Sequence, residues 1–129
     1  MSTYYFNKIV GKTFEDTERR LREELQKEGF GVLTEIDVTA TLKKKLDVNF
    51  RRYKILGACN PNFAYTALQL EDKIGTMLPC SVIIQELESG KIEVAAIDPA
   101  ASMQAVKNSA LGDVADQVRG KLKAVIDNI

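Results

Sequence analysis

The spacing of apolar and polar residues changes several times along this chain, and each change marks an element. Tyr4 to Val10 is a β-branched and aromatic run closed by Gly11, which predicts a first strand. From Thr13 the period lengthens: Phe14, Leu21 and Leu25 fall on one helical face, Asp16 follows Thr13 at capping-box spacing, and Gly29 supplies the stop. On the opposite face Glu15 with Arg19, Asp16 with Arg20, Glu18 with Arg22 and Glu23 with Lys27 stand four apart, acid first, the pattern of a solvated helix surface. Alternation returns at Val32, Thr34, Ile36 and Val38, with Leu33, Glu35 and Asp37 on the other side of a second strand. Thr39 then caps a short helical turn with Leu42 and Leu46 inward and Lys43, Lys44 and Lys45 outward.

A third strand is predicted from about Arg52 to Ala58, followed by Asn60 as a helix cap and Pro61 at the first helical position, where a missing N–H costs nothing. That helix runs to about Asp72 with Phe63, Ala67 and Leu70 inward. Pro79 restarts an extended chain, and Cys80 to Leu87 and Lys91 to Ile97 form a hairpin around Glu88-Ser89-Gly90. Asp98-Pro99 caps a further helix. Leu111, Val114, Ala115, Val118, Leu122, Val125, Ile126 and Ile129 make the clearest helical stripe in the chain, with Asn108, Ser109 and Gly112 dividing the region into a short helix and a long one. Strands joined through hairpins, with the long helices grouped on one face of an antiparallel sheet, make an α+β fold. No repeat, linker or low-complexity segment divides residues 1–129, so one domain is expected.

Composition narrows the functional classes. The 129 residues are 45% hydrophobic and 28% charged, which is neither a disordered nor a fibrous balance. Lys plus Arg equals Asp plus Glu at 18 each, so no global field draws the protein to nucleic acid, and no apolar run is long enough for a membrane span. Met1 to Lys8 lacks the basic start, apolar core and cleavage site of a secretory leader, which makes the cytoplasm the expected compartment and free thiols the expected state of both cysteines.

The two cysteines sit at joints between strand and helix, in Leu56-Gly57-Ala58-Cys59-Asn60-Pro61 and Leu78-Pro79-Cys80-Ser81. If the strands they end and begin are antiparallel neighbours, Cys59 and Cys80 meet at one edge of the sheet. Cys59 precedes a helix N-terminus, where partial positive charge favours thiolate, so a lowered pKa is expected there. Cys59, Asn60, Cys80 and Ser81 are therefore the candidate ligand-binding residues, suited to a small anionic or carbonyl ligand. The competing reading is that both thiols pack as small hydrophobes. No metal is assigned: structural zinc wants four nitrogen or sulfur ligands, and the chain offers two sulfurs and no histidine unless Glu71 and Asp72, or a second subunit, complete the set. The pair is not a Cys-x-x-Cys redox motif. Nucleophilic catalysis would need Lys54 or Tyr65 in place of a histidine base, so no reaction and no cofactor is specified.

A second constellation is basic: Lys43, Lys44, Lys45, Arg51, Arg52 and Lys54, interleaved with Phe50 and Tyr53. Such a patch can hold phosphate or single-stranded nucleic acid, but the chain as a whole is neutral, and its acidic remainder argues against a dedicated nucleic-acid protein. A solvated helix and strand edge accounts for it more simply.

Taken together, Asp37 to Leu46, Ile55 to Pro61, Ala64 with Ala67-Leu68, Leu78-Pro79-Cys80 and Ile97-Asp98-Pro99 resemble the domain-of-unknown-function 302 family over almost the whole chain. The resemblance implies a β-α-β(4)-α two-layer sandwich of the TATA-binding-protein-like class, often a homodimer, with no established activity. Ser81 stands where that family commonly has asparagine. Three roles follow for testing: a thiol-bearing small-ligand module, a homodimeric interaction protein with packed cysteines, and a nucleic-acid binder.

Overall fold

Five strands pair antiparallel in the order β1-β5-β4-β3-β2 in the computed structural model, which describes residues 4–129. Residues 1–3, the first part of the stretch read above for a leader, lie outside the described residues. The chain runs β1 (Tyr5–Val10), α1 (Phe14–Lys27), β2 (Gly31–Asp37), α2 (Val38–Leu46), β3 (Tyr53–Cys59), α3 (Pro61–Leu70), a 3₁₀ turn (Asp72–Met77), β4 (Cys80–Glu86), β5 (Ile92–Ile97), α4 (Pro99–Ser102) and α5 (Ser109–Asp127). The expected α+β sandwich is formed, with α1 and α5 packed on one sheet face. Among the described residues no helix is long and apolar enough to cross a membrane.

Local chemistry explains the two long helices. Thr13 Oγ1 accepts from Asp16 N at 3.1 Å and opens α1, and Gly29, at φ +86°, ends it while Phe30 N donates back to Leu25 O at 2.9 Å. Leu21 and Leu25 of α1 and Leu122, Val125 and Ile126 of α5 are fully buried. They meet Leu56 and Ala58 of β3, Cys80, Val82 and Ile84 of β4, and Val94 and Ala96 of β5, one alternating set across the sheet. The other set, including Ile9, Ile36, Ile55, Ile83 and Ile97, looks away from the helices; Ile9 is 51% and Ile36 48% exposed.

Four local expectations need correction. In β2 the pairing register shifts between Val32 and Thr34, so Leu33 is an extra residue, 66% exposed. A bulge of one residue reverses the alternation: Val32 faces the helices, but beyond it Glu35 and Asp37 do so, opposite Leu56 and Lys54, while Thr34 and Ile36 turn to the open face. Asp37, not Thr39, caps α2, accepting from Ala40 N at 2.9 Å. Thr39 instead ties the chain before β3, donating to Arg51 O at 2.7 Å and accepting from Tyr53 N at 2.9 Å. Leu46 is 66% exposed rather than inward, because α2 covers the sheet edge with its first turns only. Finally, α3 stops at Leu70 and the chain continues as the 3₁₀ turn, leaving Leu70 partly exposed and Ile74 buried.

Candidate functional site

Ala58 lies directly across from Cys80 in the β3–β4 ladder, so Cys59 and Cys80 are one register step apart where β3 ends and β4 begins. Pro61, at the first helical position as expected, turns the chain into α3, which roofs this corner. Both cysteines line one cleft together with Phe30, Phe63, Leu78, Met103 and Leu111, and its free volume is about 30 Å³, room for an ion or a water molecule. Neither thiol is in a disulfide; Cys80 is buried and Cys59 half-buried.

The electrostatics run opposite to the expectation for Cys59. Burial pushes its thiol up rather than down, and burial followed by the neighbouring Cys59 pushes Cys80 up to about 11. The walls of the cleft carry no charged side chain, and burial is what raises Cys59. Both groups are thiols, not thiolates, at neutral pH.

Asn60 departs from its expected role. Its side chain makes no capping bond to α3; Nδ2 donates to Glu28 O at 3.3 Å, at the end of α1. The first-turn N–H groups of α3 thus lack a side-chain acceptor. Ser81 is not part of this corner: it follows Cys80 in a strand, so it points to the open sheet face with Ile83 and Gln85. There Arg51 Nε donates to Gln85 Oε1 at 2.7 Å, Gln85 Nε2 to Glu93 Oε1 at 2.8 Å, and Asn7 Nδ2 to Glu93 Oε2 at 2.9 Å.

The basic constellation is largely neutralised by pairs the sequence spacing did not reveal. Lys43 meets Asp47 at 2.7 Å, Arg52 meets Glu15 at 2.7 Å and lies over the Phe14 ring, and Arg51 stacks on Phe50 and Tyr53. Lys54 points to the helix side of β3 and bonds Glu18 at 2.9 Å, with Arg22 joining Glu18 and Glu35. Burial raises the Glu18 carboxyl, but the bonds to Lys54 and Arg22 prevail and hold it below the usual carboxylate range. Only Lys44 and Lys45 of the six have no partner given by an ion pair or hydrogen bond among those described. Neither Lys54 nor Tyr65 lines the cysteine cleft, so neither stands as a base for Cys59.

Met103 and Phe30 reach the cleft from distant parts of the chain, and no sequence spacing announces them. Among the described residues no group of three or more His, Cys, Asp or Glu stands together, and Glu71 and Asp72 do not line the cleft.

Fold and site define a small α+β domain with a helix-covered sheet, an open sheet face and a buried thiol corner. The chain belongs to the family described as Domain of unknown function DUF302, whose model matches residues 6–129. It is similar to a solved structure described as the crystal structure of uncharacterized conserved protein DUF302 from Bacillus stearothermophilus, at 28% identity, with 98% of each chain covered and a TM-score of 0.91. No curated protein matches the chain.

Proposed function

We propose that this protein is a small-ligand-binding module whose site is the cleft between β3, β4 and the start of α3. The observation that carries the reading is an apolar cavity of about 30 Å³ that has both cysteines among its lining residues and lies under α3. A cavity of that volume takes an ion-sized ligand, engaging the thiols, the helix N–H groups or both. Backbone amide shifts followed during titration with sulfate, phosphate and thiol-directed ions test it: residues 59–64 and 80–82 move together. Movement confined to residues 43–54 would transfer the site to the basic constellation.

A homodimer is the second role, favoured by the half-exposed Ile9 and Ile36 and the neighbouring Ile55, Ile83 and Ile97 on the open sheet face. These isoleucines flank the Arg51–Gln85–Glu93–Asn7 hydrogen-bond chain on the same face, and such a mixed face is covered most simply by another copy of itself. The two roles are compatible, because the cleft opens among the helices and the open face lies on the other side of the sheet.

A further inference from the structure

We propose that the open sheet face carries a second binding site, a basin for an aromatic amine in which Glu93 holds the ammonium and Tyr4 and Tyr5 hold the ring. The basin shares no lining residue with the cysteine cleft, so it stands or falls apart from that reading.

Pairing register puts the lining on one face. Tyr5 stands across from Ile97, Ile83 across from Ala95, and Gln85 across from both Glu93 and Tyr53, all on the side of the sheet away from α1 and α5. Ser81 and Ala95 have the shortest side chains of this set and leave a depression that the tyrosines, Gln85 and Glu93 enclose. Its volume is about 360 Å³, within the range of small-molecule sites.

Charge selects the ligand. Among the described residues Glu93 is the one charged side chain of the lining, and no ion pair reaches it. Its two oxygens accept from neutral amides, Oε1 from Gln85 Nε2 at 2.8 Å and Oε2 from Asn7 Nδ2 at 2.9 Å, and each keeps a lone pair for a further donor. Arg51 does not cancel the charge: it donates to the far end of the Gln85 amide, at 2.7 Å, and lies over Phe50 and Tyr53. That bond also turns the Gln85 NH₂ toward Glu93, so the carboxylate is held from both sides and presented to the basin. An ammonium supplies the missing countercharge, whereas an anion is repelled.

The ring end lies along β5. Ile97 is four residues from Glu93, so Tyr5 opposite it is about 13 Å from the acid at backbone level. Tyr4 and Tyr5 meet edge to face, 4.9 Å apart at 71°, and make an aromatic corner against which a flat ring packs. The Glu93 side chain, one hydrogen bond and an arylethylamine together cover that length, with the linker over Ala95 and Ser81.

The test is a calorimetric titration of the full chain with tryptamine, run beside tryptophol, which carries a hydroxyl in place of the ammonium, and indole-3-propionate, which carries a carboxylate. One tryptamine per chain is expected, bound about 10-fold or more tighter than tryptophol, with no binding of indole-3-propionate. Backbone amide shifts should gather at residues 4–5, 81–85 and 93–97. Glu93→Gln should bring tryptamine down to the affinity of tryptophol, and Ser81→Phe, which fills the depression from an exposed position, should abolish binding. Circular dichroism verifies that both variants fold; Glu93→Gln, at the half-exposed position, serves if Ser81→Phe does not. Tryptophol bound as tightly as tryptamine, wild-type affinity in Glu93→Gln, or shifts confined to residues 59–64 overturns the proposal. Absence of binding at millimolar tryptamine overturns it too, whether light scattering finds monomer or dimer. Tryptamine that binds and splits a dimer into monomers supports it, because the amine then occupies the face on which a second copy would sit.

Discussion

Asn60 donates its side-chain amide to the main-chain carbonyl of Glu28, 3.3 Å away, and so joins the start of α3 to the end of α1. A helix cap works by accepting, and in that role Asp serves as well as Asn. Here the donor matters. Asn60→Ala is expected to cost about 1 kcal/mol, the net worth of one hydrogen bond. Asn60→Asp should cost at least as much, because it removes the donor and sets a carboxylate against a carbonyl oxygen. Chemical denaturation of the two variants checks this, and a neutral Asn60→Asp would return the residue to the capping role.

Alkaline stability follows from the buried Cys80 and the half-buried Lys54. The Cys80 thiol is held up to about 11, so between pH 9 and 11 the unfolded chain loses a proton that the folded chain keeps. Folding stability from this group is complete below pH 9 and declines as pH rises, by roughly 2–3 kcal/mol at the upper end. Lys54 is also raised, although burial alone would lower it, because Glu18 holds its ammonium. Its contribution is present below its ordinary value and is lost above it, so the two groups add to one alkaline slope. Melting temperatures measured from pH 8 to 11 should fall steadily, and Cys80→Ala should flatten the first part of the fall.

Glu18 sets the acid limb with the opposite sign. Its folded carboxyl is lowered by Lys54 and Arg22, so its contribution is present above its ordinary value and is lost as pH falls through the folded one. Glu18→Gln should reduce stability at pH 7 and lessen the loss below pH 4. Equal acid sensitivity in wild type and variant would mean that the pair with Lys54 contributes nothing measurable.

The strands themselves, the hairpin at Gly90 and the stripe of α5 were legible because each rests on local chemistry: turn residues, period and capping. The bulge at Leu33 was not. Val32, Thr34, Ile36 and Val38 alternate without a break in the sequence, and the extra residue emerges only when β2 is laid against β3. Lys54 misled for the same reason, since its place among basic neighbours hid the Glu18 carboxylate that lies across from it on α1. At the cleft, Cys59 and Cys80 were expected at one sheet edge on the condition that β3 and β4 pair antiparallel, as they do, whereas Met103 and the diverted Asn60 side chain depend on tertiary packing that no spacing encodes.

Gly57 tests how closely the chain crosses the open face at β3. A Cβ built there would stand 2.7 Å from Pro79 Cγ and closer still to the Thr34 hydroxyl, with backbone of β2 and β4 behind them. The Thr34 hydroxyl must rotate away and the Pro79 ring, fixed to the backbone, must shift, so Gly57→Ala should destabilise by about 1–3 kcal/mol, the range for overpacking. Gly112→Ala, with open space at its Cβ in α5, should be neutral or stabilising by up to about 1 kcal/mol. Thermal melts of both variants are sufficient, and a neutral Gly57→Ala would show that the strands can separate at no cost.

The open sheet face yields the prediction about association. Five strands about 4.8 Å apart and about six residues long present roughly 500 Å² before side-chain relief is counted. With relief, that approaches the ~800 Å² per partner of a standard interface. Ile83 sits on central β4, opposite Ile55 of β3 and Ala95 of β5, at the middle of the face. Light scattering at micromolar concentration should give twice the 14.3 kDa chain mass. Ile83→Glu should return it to the monomer mass, because two copies of the new carboxylate would be buried without partners. The monomer should keep its fold, as the position faces away from the helix-side core. Exchanging Lys44 and Lys45 for Glu on α2, away from that face, should leave the dimer intact. A wild-type mass near that of one chain at every concentration would remove the dimer and leave the open face to another partner.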